Sequence, residues 1–150
     1  MKLYHLHRKQ FLPTSLETAW AFFTNPFNLA QITPPWLDFK ITNPVSEKIY
    51  SGVIITYRLK TLFGLPTNWV TEITQVDKPV SFVDEMRLGP YLFWHHQHLF
   101  HVVIGGVEVE DSVHYALKLG ILGQILHKMV VRAKLNDIFD YRQTALENLF

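Results

Sequence analysis

The chain has 150 residues, 48% of them hydrophobic and 14% aromatic, with a formal net charge of +1. This is the size of one ordinary domain with a substantial core (residues 1–150), and the composition excludes disorder for the bulk of it. Acids and bases are mixed with no basic stripe, so nucleic acid is not expected as a partner; cysteine is absent, which excludes disulfides and thiolate metal sites and fits a cytoplasmic protein.

Residues 2–12 alternate in places and are rich in aromatics and histidine, which predicts a strand ended by Pro13. The same N-terminal stretch has no continuous apolar run, so no signal peptide is expected, and no segment reaches the roughly 18 apolar residues of a membrane span. Thr14-x-x-Glu17 is a capping-box pattern, in which each side chain serves an orphan backbone N–H of the helix start. Ala19, Trp20, Phe22 and Phe23 then predict a short amphipathic helix. Asn25-Pro26 ends it and starts another, through about Ile32, and Pro34-Pro35 forbids further helix. Six strands follow, separated by turn residues: 38–43, 53–62, 67–76, 80–88, 91–104 and 107–117. Short connections between them predict an antiparallel meander.

One long helix is expected over residues 121–150. Its apolar positions do not make a single stripe. Leu122, Ile125, Leu126 and Met129 share one face, while Val131, Leu135, Ile138, Leu146 and Leu149 share another. Either the helix bends near Ala133 or its halves touch different surfaces, the first half then doubling as a cavity wall. The order is therefore strand, two short helices, six strands, long helix. This is an α+β chain whose sheet must bury one face, and only the last helix is large enough to cover it.

The segment 94–102 holds four of the eight histidines. By period-two alternation, Trp94, His96, His98, Phe100 and Val102 share one face, and His95, Gln97, Leu99 and His101 the other. If Gly105-Gly106 is a two-residue hairpin turn, Phe100 opposes Asp111, His98 opposes Val113 and His96 opposes Tyr115. The first face then continues as Val109, Asp111, Val113, Tyr115 and Leu117, and the second as Glu108, Glu110, Ser112 and His114. One side is almost wholly apolar and the other polar, as in a half-buried antiparallel pair. His96, His98 and Asp111 are the polar exceptions on the apolar face, with His98 and Asp111 as diagonal neighbours. Each would cost about 1–3 kcal/mol if buried unsatisfied, against a total stability of about 5–15 kcal/mol. They therefore need partners. A structural polar network, the polar floor of a ligand cavity and a catalytic His–Asp pair all satisfy that need. A His/His/Asp metal set ranks below these, since no recognised ligand motif supports it, and neither metal nor cofactor is expected.

Element order, the run Leu12-Pro13-Thr14-Ser15-Leu16-Glu17-Thr18-Ala19-Trp20, and the phrases Phe82-Val83-Asp84-Glu85, Gly89-Pro90-Tyr91, Trp94-x-His96-x-His98-x-Phe100 and Ile138-Phe139-Asp140-Tyr141-Arg142 carry a resemblance. Together they resemble the SRPBCC superfamily of START, birch-pollen-allergen-like and polyketide cyclase-like proteins, in a small bacterial single-domain branch. The resemblance implies a helix-grip fold, with a curved antiparallel sheet of six to seven strands wrapped around the C-terminal helix and a deep cavity between them. The residues then expected at that cavity are Tyr57, Trp69, Phe82, Trp94, His96, His98, Asp111, Val113, Tyr115 and Met129. The leading expectation is a binding protein for a largely apolar small molecule of lipid, isoprenoid, quinone or polyketide type. The alternatives are a cyclase-, dehydratase- or hydrolase-type enzyme using His96 or His98 as base with Asp111 orienting it, and a protein-binding module, which would need a large exposed apolar patch. A homodimer is left open.

Overall fold

The computed structural model describes residues 1–61 and 63–150; the expected end of the second meander strand, Leu62, lies outside the described residues. Seven strands form one antiparallel sheet: β1 (Leu3–Leu12), β2 (Lys40–Ile41), β3 (Ile54–Lys60), β4 (Pro66–Asp77), β5 (Ser81–Leu88), β6 (Tyr91–Val103) and β7 (Gly106–Leu117). Their spatial order is β1-β7-β6-β5-β4-β3-β2, so β2 to β7 are a meander and β1 returns to pair with the last strand. Helix α1 (Leu16–Phe23) and two short 3-10 turns (Pro26–Ile32, Pro35–Leu37) follow β1. The C-terminal helical segment comprises α2 (Gly120–Leu126), a π-type turn (His127–Val131) and α3 (Arg132–Leu149). The chain is thus an α+β helix-grip fold.

Local chemistry explains most of these boundaries. The N-cap of α1 is Ser15, whose Oγ accepts from the Thr18 backbone N–H at 3.1 Å. The capping box expected from Thr14 is therefore displaced by one residue. Asn25 caps the first 3-10 turn by accepting from Phe27 N–H, with Pro26 at its first position, where a missing N–H costs nothing. The strand expected over 38–43 survives only as Lys40–Ile41. Beyond it, Asn43 pairs through its side chain with both Ile54 O and Thr56 N, which substitutes for a backbone ladder.

The β6–β7 register corrects the expected one by two residues: Phe100 faces Val109, His98 faces Asp111, His96 faces Val113 and Trp94 faces Tyr115. The turn is Ile104-Gly105, with Gly105 at φ +84°. Gly106 already belongs to β7, and a Cβ there would run into the Leu12 carbonyl of β1. Its glycine serves that close approach, not the turn. A shift of two leaves every side chain on its expected face. His96, His98, Phe100, Asp111, Val113 and Tyr115 are all buried, whereas His101 is exposed and His95, Glu108 and Glu110 are partly so.

The C-terminal segment is the larger departure. Met129 is 72% exposed and Ile121 78%, and Leu122 and Ile125 are exposed as well. The side turned inward carries Gly123, Leu126 and His127 instead. Gly123 packs so closely on the end of β7 that a Cβ would collide with the Lys118 carbonyl, so this smallest residue fixes which way α2 faces. The π-type turn then inserts one residue and rotates the phase of the helix. From its last residue on, Val131, Leu135, Phe139 and Leu146 form a buried stripe against the sheet. The discontinuity expected near Ala133 therefore sits a few residues earlier.

Three apolar clusters result. One joins Trp20 of α1 to Phe82, Phe100 and Leu146. A second holds Leu6, Tyr91, Val113, Tyr115, Leu135 and Phe139. The third comprises Val53, Ile55, Tyr57 and Ile73 at the far side of the sheet. Among the described residues, no helix is long and apolar enough to cross a membrane.

Candidate functional site

The three clusters do not close on one another. Between them lies a cavity of about 380 Å³, walled by members of each, among them Phe82, Ile55, Tyr57, Ile73, Tyr91, Leu135 and Phe139. Strands β3 to β6 form its floor, α3 its roof, and the first 3-10 turn one end, through Leu29 and Ile32. Six of the residues expected from sequence line it: Tyr57, Trp69, Phe82, Trp94, His96 and His98. Their inward direction follows from strand alternation, and Trp69 is pinned by its indole N–H donating to Thr71 Oγ1 at 2.9 Å.

Four expected residues do not line it. Val113 is fully buried beneath α3, where Val131, Leu135 and Phe139 cover it. Tyr115 is also packed over, and its hydroxyl is hydrogen-bonded to His127 Nε2 at 2.8 Å. Met129 faces solvent, for the reasons given above. Asp111 sits one layer back, against Arg142 and β1, and reaches the cavity only through the histidines.

Sequence reasoning missed two participants. Asp84 lies on β5 directly opposite His96 and lines the cavity. It is two residues beyond Phe82, so strand alternation places it on the same face. Arg142 lies on α3, three residues after Phe139 and four before Leu146, a spacing that marks the buried helix face.

Asp84, His96, His98 and Asp111 form a closed ring of contacts. His96 Nε2 hydrogen-bonds Asp111 Oδ1 at 2.8 Å, while its Nδ1 is 3.4 Å from Asp84 Oδ2. His98 Nε2 hydrogen-bonds Asp84 Oδ2 at 2.9 Å. Its Nδ1 lies 2.9 Å from Asp111 Oδ1 but is not aimed for a hydrogen bond and has no other partner. The imidazoles lie 3.8 Å apart between centroids, and Phe82 stacks on His98 from the other side. Arg142 Nη1 is 3.7 Å from Asp111 Oδ1. Asp84 is the most open member, its side chain 19% exposed.

Burial opposes ionisation of both carboxyls, but the histidines outweigh it. The hydrogen bond from His96 and the close approach of His98 hold Asp111 well below the usual carboxylate range, and the charges of the same histidines with the hydrogen bond from His98 lower Asp84. For His96, burial and the neighbouring charge on His98 win, and its pKa is lowered. For His98 burial is overcome by the close Asp111 carboxylate and the hydrogen bond to Asp84, so its pKa is raised. Two carboxylates set against two imidazoles and the Arg142 guanidinium let opposite charges offset one another, which is what makes so polar a group tolerable inside an apolar shell. Tyr57, whose pKa is raised by burial and then by the charge of Asp84, sits nearby as a neutral hydroxyl. The site therefore combines an apolar chamber with a wall that can donate hydrogen bonds, accept them, or exchange a proton.

No protein-family model matches the sequence, and no curated protein matches it. Solved structures do. The chain is similar to protein Ms6760 from Mycobacterium smegmatis, with a TM-score of 0.67 and 16% identity over 100% of this chain and 99% of that one. It is similar to Ara h 8.0201, with a TM-score of 0.61 and 14% identity over 98% and 99%. It also matches 28% of a nucleoside-diphosphate sugar epimerase from Corynebacterium glutamicum, with a TM-score of 0.63 and 24% identity over 94% of this chain. At these identities the likeness is one of fold.

Proposed function

We propose that this protein binds a largely apolar small molecule, of lipid, isoprenoid, quinone or polyketide type, between the sheet and α3. One observation carries the reading: the cavity wall is largely apolar, and on it Asp84, His96 and His98 stand together as one polar group. Apolar walls supply affinity, and a few convergent polar groups fix orientation. The absence of cysteine agrees with the cytoplasm as its location.

The experiment is native mass spectrometry of the purified protein with extraction of what co-purifies, paired with titration of a fluorescent fatty acid and a quinone. Asp84→Ala should weaken probe binding by up to about a hundredfold, since a lost ligand hydrogen bond is worth about 1–3 kcal/mol. Failure of the wild-type protein to bind any such probe, or equal binding by the variant, would reject the reading.

A second reading is favoured by the placement of His98 between two carboxylates, with Asp84 open to the cavity. An imidazole held this way can take a proton from a bound substrate and return it. Conversion of the co-purifying molecule to a product of different mass, lost in His98→Gln, would establish an enzyme.

A further inference from the structure

We infer that Asp84, His96 and His98 form a site for one divalent first-row transition-metal ion, with Asp111 holding the two imidazoles from behind. The inference concerns the same wall of the cavity but does not depend on the apolar ligand, because metal affinity can be measured alone.

The orientation of the rings comes first. Each imidazole turns one nitrogen toward Asp84 and the other toward Asp111: His96 by Nδ1 and Nε2, His98 by Nε2 and Nδ1. The Asp84 side faces the cavity, whereas Asp111 is packed behind. A histidine that ligates a metal characteristically gives its second ring N–H to a carboxylate, which fixes tautomer and direction. Here Asp111 hydrogen-bonds the second nitrogen of His96 and lies 2.9 Å from that of His98. Arg142, 3.7 Å from Asp111, offsets the charge of that supporting carboxylate and leaves Asp84 as the anionic ligand.

Spacing is the second argument. The three candidate donor atoms all lie within 4.8 Å of one another. Ligands about 2.0–2.1 Å from a tetrahedral centre are separated from each other by roughly 3.3 Å. Asp84 Oδ2 is 3.4 Å from His96 Nδ1 and 2.9 Å from His98 Nε2, so the second pair must open by a few tenths of an ångström, and the two ring nitrogens stand within 4.8 Å of each other. The cation takes the place of the proton that now bridges them. His96 and His98 are two apart on one strand and Asp84 is directly across the ladder from His96, so backbone pairing, not a loop, sets the donor positions.

The donor set identifies the class of ion. Two imidazole nitrogens and one carboxylate suit Zn²⁺, Fe²⁺ or Co²⁺, whereas Mg²⁺ and Ca²⁺ take nearly all-oxygen shells. All three donors come from the sheet side, so the remaining coordination positions open into the cavity toward α3. That is the arrangement of a metal that keeps room for water or for an oxygen of a bound molecule. A hydroxyl, carbonyl or carboxylate on an otherwise apolar ligand would complete it.

The test uses the full chain without affinity-tag histidines, stripped by a chelator and titrated with Co²⁺ while its visible absorption is recorded, then with Zn²⁺ in competition. One ion per chain is expected. Asp84→Asn and His98→Gln should each weaken binding by about a hundredfold or more, and Asp111→Asn, which removes only the support, by about ten- to a hundredfold. Outer-face histidines are the control: His5 and His114 stack on the far face of the sheet from the cavity, and the double variant His5→Ala/His114→Ala should bind as the wild type does. Absence of stoichiometric binding, binding unaffected by Asp84→Asn, or binding abolished in the outer-face variant would overturn the inference. Should the buried variants fail to fold, as judged by circular dichroism, the Co²⁺ bands of the wild type and the outer-face variant decide it. Their presence in both supports the site, and their absence from either removes it. Probe titration in chelator keeps the outcome for the apolar ligand separate.

Discussion

The β6–β7 hairpin and the segment 119–131 are both rich in large apolar residues, yet only the hairpin buries the side its pattern marks. In the hairpin, two-residue alternation leaves a side chain only two directions, and a register error of two residues changed the neighbours but no face. In the helical segment, direction depends on what the helix leans against. The contact at the end of β7 admits a glycine and nothing larger, so Gly123 went inward and Leu122, Ile125 and Met129 went out. Apolar content indicated that something packs in each case. Only the strand period indicated which side.

The sharpest way to test this contrast is to remove Asp111. It would leave His96 without its hydrogen-bonded carboxylate and Arg142 without its ion-pair partner, a loss of about 3–5 kcal/mol in urea denaturation. A loss below about 1 kcal/mol, the range of an exposed pair, would show that the hairpin's polar cluster is solvated. Next come paired truncations on the two stretches of the C-terminal segment. Leu135→Ala, on the buried stripe, should cost about 2–5 kcal/mol, and Leu122→Ala, on the outward one, no more than about 0.5 kcal/mol. Equal losses would mean that α2 packs its apolar face after all.

A pH series gives a smaller effect. The Asp111 carboxyl is held well below the usual range, while unfolded aspartate titrates near pH 3.9. Its contribution is therefore full above about pH 4 and is lost as pH falls through the folded value. The difference in melting temperature between wild type and Asp111→Asn should grow as pH falls through the raised His98 pKa, because the carboxylate favours the imidazolium, and shrink again as pH drops below about 4. A difference that stayed constant on acidification would place the charge of Asp111 outside the stabilising network. The smallest effect is expected of Met129→Ser, within about 0.5 kcal/mol of wild type.

How much the sequence disclosed follows the same physical line. Strand faces, the order of elements and the inward histidines were legible because period two and turn residues are local signals. Asp84 was legible in principle, since it shares a face with Phe82, but a lone acid in a strand carries no sign of its partner across the sheet. Arg142 needed the helix phase, and the π-type turn at His127–Val131 erased that phase for any reading that carried the stripe through from Leu122. The β6–β7 register was misread because Gly105-Gly106 has the composition of a hairpin turn. The second glycine answers to β1, a strand nearly the whole chain away.

That distant strand has a kinetic consequence. The pairs from Leu3↔Ala116 to Leu12↔Val107 bring together the two most separated strands of the sheet, whereas β6 and β7 meet across a two-residue loop. Closing the long loop costs more chain entropy than closing the short one, and folding rates fall as such distant contacts come to dominate. The strand of the sheet that is made earliest thus has to wait for the one made latest before it can pair. Until it docks, β7 presents an open row of backbone donors and acceptors, the kind of edge on which a second unfinished chain can add its own strand. Bonds from Arg8 to Asn136 and from Gln10 to the Gln143 carbonyl tie β1 to α3 as well. Docking of β1 therefore seals the sheet and fastens the helix together, and the interval before it is when this protein is most exposed to aggregation.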